Sequence, residues 1–432
     1  MPPCPDPPAK ASPPTSRRRF LKTSAAAVAG VSSTFHVPYA FARTRPTLRV
    51  LGTHVTLQEE LRIRAQRDLG IELVFEAGGS AAVLQKASTR PESFDVYEQW
   101  SNSLRVLWQA GAIQPVETAR IEHWDRINPL TKAGRLTPEA PLGRGDAPYK
   151  MLYVQPDGMP GSTPGDRVTF LPYVHNVDAF GYDTRVVPEG RAYETESWAW
   201  LLDERWAGRV GLVNDPTIGL FDVALAAQAK GMMSFDDIGN LSRADLDALF
   251  EMLIDYKLRG HFNGIWNSVP QSIDFMKRGQ VVIESMFSPA ATALRGQGVP
   301  AVYAAPKEGY RAWHGVMYLS SAAHGAALDA AYDYMNWWLS GWPGAFITRQ
   351  GYYMSVPDLV RPRLEPEEWD YWYEGKPAAR DLPGTDGRTA VTAGSVRNGG
   401  SYTNRLSNIA VWNTVMDTYE YSLERWYEFL TA

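Results

Sequence analysis

The side chains that could hold or transform a small molecule are scattered along this sequence rather than clustered. Apart from His36 near the N-terminus, its histidines fall at 54, 123, 175, 261, 314 and 324. None pairs with another at i,i+2 or i,i+4, the spacings that put two imidazoles on one face of a strand or helix, so no local metal cluster is encoded. The sequence has no HExxH, no GxSxG, no GxxxxGK[ST] loop and no GxGxxG after its first strand. The one cysteine, Cys4, excludes a disulfide framework or cysteine metal site within the chain. Gly78-Gly79-Ser80 and Asn214-Asp215-Pro216 each lead into a helix, where free N–H groups can hold a carboxylate or phosphate. Ser80 is equally a plain cap on a turn. Asp215 is equally an N-cap facing solvent, and it would itself occupy the N–H groups. The remaining signal is aromatic: rings make up 12% of the chain, with 15 Trp and 21 Tyr, a content suited to presenting flat faces to a ligand.

The elements that must position these groups follow from hydrophobic periodicity. Leu48 to Leu51 is a strand. Residues 57–69 carry Leu57, Leu61, Ala65 and Leu69 at i,i+4, which predicts an amphipathic helix. A strand at 71–75, a helix at 81–88, a strand at 93–97 and a helix at 104–110 continue a βαβαβα pattern, and this implies a mostly parallel sheet. Segments 129–148 and 156–167 are Pro-, Gly- and charge-rich and read as surface loops. After strand-like Phe170 to Asn176 and Ala179 to Tyr182 the alternation resumes. It runs through strands at 210–213, 281–284 and 299–304, helices over 221–230, 242–256 and 328–339, and a last helix at 411–430. Two α/β lobes joined by a chain crossing near 170–176 would leave a cleft between them, a favoured place for ligands. The length of 432 residues suits two lobes, and 44% hydrophobic with 21% charged residues is a soluble composition. A net charge of -5 argues against a duplex nucleic-acid partner.

The N-terminus reads as an address. Ser16-Arg17-Arg18-Arg19-Phe20-Leu21-Lys22 precedes a mildly apolar run and the small-residue site Ala40-Phe41-Ala42. This is the pattern of a cleavable twin-arginine export signal covering residues 1–42. Cleavage would also remove Cys4, which suits an oxidising compartment such as the periplasm.

Over roughly 46–430 the chain resembles the periplasmic solute-binding proteins of ABC importers, in the spermidine/putrescine-binding subgroup. The resemblance rests on Ala305-Pro306-Lys307-Glu308-Gly309 ahead of Trp313, on Ala331 to Asn336, and on Gly351-Tyr352-Tyr353-Met354-Ser355-Val356-Pro357. Phe170 to Tyr182 resembles the first crossing between lobes. The resemblance implies a two-lobed α/β fold of the type II periplasmic-binding-protein class. Lobe 1 would be residues 43–172 plus about 304–385, and lobe 2 residues 173–303 plus about 386–432. It further implies a monomer that closes on a small solute, docks on a membrane permease, and needs no cofactor or metal.

The same resemblance suggests where the solute lies, and it departs from the polyamine pattern. The subgroup's two acidic positions fall on Pro216 and Gly219, leaving Asp215 one residue off. Its Trp-Met-Asp falls on Trp313-His314-Gly315, so the ring is kept and the Asp is lost. The expected contacts are Thr53 and His54 at the end of the first strand, Ser80, Trp100 after the third strand, Tyr173 and His175 on the crossing, Asp215, Glu284, Trp313 and His314. Each has a structural alternative as a core ring, hinge group or cap. The expected solute is a small amine-containing compound. An anionic carboxylate or phosphonate on the same fold, and an exported enzyme on a two-lobed scaffold, stay open as alternatives.

Overall fold

A computed structural model describes residues 46–432; the twin-arginine segment and the site at Ala40 to Ala42 lie outside the described residues. The chain opens with β1 (Thr47–Gly52), α1 (Glu59–Leu69), β2 (Glu72–Ala77), α2 (Ser80–Thr89), β3 (Val96–Trp100) and α3 (Leu104–Gln109). β1 lies parallel to both β2 and β3, as a βαβαβ run requires. The stripe on α1 buries Leu61 and Ala65, and Gly70 ends the helix in the left-handed conformation, where a residue without Cβ is unstrained.

The two strand-like stretches, Phe170 to Asn176 and Ala179 to Tyr182, are joined in the structure. Residues Leu171–Asp183 form one strand, β4, buried along its whole length. Its two ends have different partners: its first half pairs with one strand of the sheet and its second half with others. β4 is followed by β5 (Val210–Val213), α4 (Gly219–Ala229), α5 (Arg243–Leu258), β6 (Phe262–Trp266) and α6 (Val269–Lys277). Ser242 and Asp245 form a capping box that fixes the start of α5. Next come β7 (Ile283–Met286), α7 (Ser288–Gly296), β8 (Ala301–Tyr303) and a second long buried strand, β9 (Tyr310–Ser320). The chain ends with α8 (Gly325–Leu339), α9 (Trp342–Thr348), β10 (Tyr353–Met354), α10 (Pro366–Trp372), β11 (Leu382–Pro383), β12 (Thr389–Val391), β13 (Ile409–Trp412) and α11 (Tyr419–Thr431). The helix expected over 411–430 therefore begins only at Tyr419. Its first residues instead belong to β13, which pairs with β9 at Tyr310 to Ala312.

The sheet runs β6-β5-β7-β4-β9-β3-β1-β2. The half built on β1 to β3 is the first lobe and the half built on β5 to β8 is the second. β4 serves both: Leu171 to Asp178 pair antiparallel with β9, and Ala179 to Asp183 pair with β7 and β8. Segment 365–388 starts in α10, and the β11–β12 hairpin that follows packs on α7 of the second lobe. Among the described residues no helix is long and apolar enough to cross a membrane.

β1 must approach β3 closely. A Cβ on Gly52 would collide with the Glu98 carbonyl oxygen and lie 3.0 Å from the Glu98 Cβ. Gly52→Ala is expected to destabilise the protein by about 1–3 kcal/mol through overpacking, read as a lower denaturant midpoint with unchanged m-value.

Candidate functional site

Register decides which side chains meet. Trp313 is opposite Asn176, His314 opposite His175 and Arg311 opposite Asp178. Side chains alternate between faces along a strand. Asn176, Asp178, Arg311 and Trp313 therefore share one face of the β4–β9 pair, and His175 and His314 share the other.

On the first face three rings converge. The Trp313 ring meets that of Trp100 at 4.8 Å and that of Tyr352 at 5.4 Å, both edge to face. Trp100 is the last residue of β3 and is carried to the spot by pairing with Gly315. Tyr352 precedes β10, which pairs with the opposite edge of β4 and so brings that ring beside Asn176. Asn176 is fully buried, yet neither end of its amide has a hydrogen-bond partner, and the Trp100 indole N–H also lacks one. A buried amide left with nothing to bond is costly, so such a group points to a ligand.

One step along the same face lies a charged cluster. The Tyr303 hydroxyl donates to Asp178 at 2.7 Å, and Arg311 lies 3.6 Å from the same carboxylate. Arg311 also donates to Asp222, in the first turn of α4, at 2.6 Å and to the Asn413 side-chain oxygen at 3.2 Å. Burial pushes the Asp178 carboxyl up to about 6, with Arg311 and the Tyr303 hydroxyl pulling the other way. Burial also raises Asp222, again opposed by Arg311. One guanidinium thus sits between two carboxylates, and full ionisation of the cluster leaves one negative charge beside the rings.

The lobes touch above this face. The Ser80 hydroxyl, at the start of α2, donates to Asp215 Oδ2 at 2.8 Å. The other Asp215 oxygen accepts from the Thr217 N–H at 2.8 Å and its hydroxyl at 2.7 Å. Gly351 packs so tightly against the Ser288 side chain that a Cβ would overlap it. The structure thus brings together Ser80 with Asp215 and Trp100 with Trp313 among the expected residues.

The other expected contacts lie elsewhere. His175 bonds the Tyr402 hydroxyl at 2.9 Å, and His314 bonds Thr131 at 2.8 Å, with their rings 5.0 Å apart on the far face. Tyr173 sits in the first-lobe core, its hydroxyl 3.0 Å from Glu98 and its ring against Trp338. Glu284 lies under α6, where the Ser272 hydroxyl donates to it at 2.8 Å and burial drives its pKa well up. The pairing of β7 with β4 turns Ser285, opposite Phe180, toward the face of Asn176 and Asp178, and so turns Glu284 away. Thr53 is buried at the end of β1 and His54 is exposed. The candidate site also holds Asn176, Asp178, Arg311, Asp222 and Tyr352, none of which was among the expected contacts. Three carried a signal: Tyr352 stood in the quoted Gly351 to Pro357 turn, and Asn176 and Asp178 alternate with the chosen Tyr173 and His175. Among the described residues no group of three or more His, Cys, Asp or Glu is placed to hold a metal.

Comparison with known proteins gives a consistent fold. A family model described as bacterial extracellular solute-binding protein matches residues 64–342. No curated protein sequence matches significantly. Among solved structures, a putative spermidine/putrescine ABC transporter from Listeria monocytogenes is similar at TM-score 0.64 and 14% identity, covering 89% of this chain and 98% of that one. The spermidine/putrescine ABC transporter substrate-binding protein PotD from Streptococcus pneumoniae is similar at TM-score 0.58 and 13% identity, covering 89% and 99%. The PBP AgtB from A. tumefaciens R10, in complex with agropinic acid, is similar at TM-score 0.55 and 14% identity, covering 90% and 99%.

The far-face histidines set an acid limit. Burial lowers both, His314 to about 4, and His175 is further lowered by His314. A base whose folded pKa is depressed stabilises the fold above its unfolded value near 6.5, and that stability is lost as pH falls toward the folded value. Unfolding free energy is expected to drop by roughly 3 kcal/mol from His314 alone between pH 6.5 and 4, and further in the same direction from His175. Urea titrations at both pH values check this, and His314→Gln should flatten the slope.

Proposed function

We propose that this chain, which belongs to the bacterial extracellular solute-binding protein family, captures a small amine-bearing solute between its two lobes for import by an ABC transporter. The observation that carries the reading is the wall of Trp100, Trp313 and Tyr352 around an unpartnered Asn176 with the Asp178 carboxylate next to it. Ring faces attract an ammonium group, a carboxylate neutralises it, and a free amide bonds its neighbours. An anionic solute fits this site less well. The N–H groups after β5 are already taken by Asp215, and the nearest charges on the ring face are Asp178 and Asp222 beside a single Arg311. On this reading the protein does no covalent chemistry, acts as a monomer, reaches the periplasm by the twin-arginine route and hands its solute to a membrane permease. The arginines at 17–19 and the family's extracellular character support the export step.

Mass spectrometry of solute released from the natively purified protein tests the reading directly. A small amine supports it, and a carboxylate or phosphonate with no amino group overturns it. Trp313→Ala is expected to weaken binding of the identified solute by about tenfold or more while the far-UV spectrum stays unchanged. Unchanged affinity in the folded variant would remove Trp313 from the site. Affinity is also expected to fall as pH drops through about 6, because Asp178 then gains a proton and loses its charge. Each unit below that midpoint should cost up to about tenfold, and isothermal titration of Asp178→Asn should show the dependence abolished.

A further inference from the structure

Arg397 is a buried cation without a carboxylate. It is 5% exposed, and among the described residues no Asp or Glu forms an ion pair with it. Three neutral oxygens receive its hydrogen bonds: the Gly351 carbonyl at 3.0 Å, the Trp372 carbonyl at 3.1 Å and the Tyr353 hydroxyl. Its guanidinium lies 4.8 Å from the Tyr353 ring centre and 5.0 Å from that of Trp372. Burial lowers its pKa from the ordinary arginine value. Burying an unpaired charge costs more than any of these contacts repays singly, and an apolar residue would fill the space at less cost. What the guanidinium supplies instead is geometry, since a planar fork fixes several acceptors at once. Two of its acceptors, at 351 and 353, flank Tyr352, the third ring of the site.

The next residue reaches the other lobe. Asn398 donates to both oxygens of Glu196, at 2.9 and 2.8 Å, and to the Tyr303 carbonyl at 3.2 Å. Tyr303 is the residue whose hydroxyl holds Asp178. Two adjacent side chains, outside every predicted contact, are thus each one residue removed from a wall of the site.

We propose that Arg397 and Asn398 are positioning residues for the solute site. Arg397 sets the Gly351-Tyr352-Tyr353 turn that presents the third ring. Asn398 sets Tyr303 and through it the Asp178 carboxylate. The inference rests on reading the rings and Asp178 as solute contacts, but its test needs no solute, so the two can fail separately.

The protein labelled with 5-fluorotryptophan gives fluorine resonances for Trp100 and Trp313, assigned from Trp→Phe variants, with Trp206 as a remote reference. Arg397→Met is expected to shift the Trp313 resonance and leave that of Trp206 in place. Arg397→Lys, which keeps the charge but not the fork, should shift Trp313 in the same direction. Asn398→Ala should move the Asp178 carboxyl titration, followed by carbon NMR, away from its midpoint near 6. A lowered melting temperature with the Trp313 resonance and the Asp178 midpoint both unmoved would make the pair purely structural and overturn the proposal. Should Arg397→Met not fold, Arg397→Lys and Asn398→Ala decide the question on the same readouts.

Discussion

The site depends first on the pairing of β4 with β9. Both strands are buried along their whole length, so every side chain on them is committed to one face or the other. A slip of one residue would exchange the faces. Asn176 and Asp178 would turn into the far-side packing, and His175 and Val177 would replace them beside Trp313. Such a slip would also put Arg311 against an apolar neighbour and strand its charge. The same register therefore holds the rings in place and keeps the buried Arg311 charge paired with carboxylates. β4 also belongs to both lobes, and the site sits where its partner changes from β9 to β7 and β8.

Arg311 makes that register expensive to leave. It is wholly buried and stands between Asp222 at 2.6 Å and Asp178 at 3.6 Å. Removing one partner of a buried pair costs about 3–5 kcal/mol, because the other charge is left uncompensated. The two distances also divide the labour. Asp222 takes the closer bond, tying α4 of the second lobe to β9. Asp178 lies further from the guanidinium, at 3.6 Å, and burial pushes its carboxyl up to about 6. An acid so poised can respond to an incoming cation, whereas one locked in a tight ion pair would not.

The two-lobed α/β architecture was legible because it is written in periodicity that tolerates errors of a residue or two. The stripe of Leu61 and Ala65 on the first helix is such a local signal, and the structure buries both residues. The site is written in parity and in long-range pairing. Tyr173 and His175 were chosen on the crossing strand, while the face that meets the cleft carries Asn176 and Asp178; nothing in a fully apolar-flanked strand states which face is which. Glu284 and Ser285 differ only in the same way. Asp222 was passed over because it lies one helical turn beyond the aligned positions Pro216 and Gly219, yet a helix turn brings it back to the same end of α4. Trp100 was expected from its place after the third strand and Trp313 from the resemblance, and the structure sets the two rings edge to face.

The contacts between the lobes bear on how the cleft works. Among the polar contacts between the lobes is the Ser80 to Asp215 hydrogen bond, and a single neutral-donor bond of this kind contributes only about 1 kcal/mol net, somewhat more when the acceptor is charged. A further contact, Gly351 on Ser288, is a matter of clearance rather than attraction. A solute can favour the closed form only by the difference between its affinity for the closed and open arrangements. Rings and carboxylate drawn from both sides of the boundary supply that difference: Trp100 comes from β3 of the first lobe, while the hydroxyl that holds Asp178 comes from β8 of the second. A solute touching one wall alone would bind without closing the cleft, so the selectivity of closure resides in the span between the ring wall and Asp178.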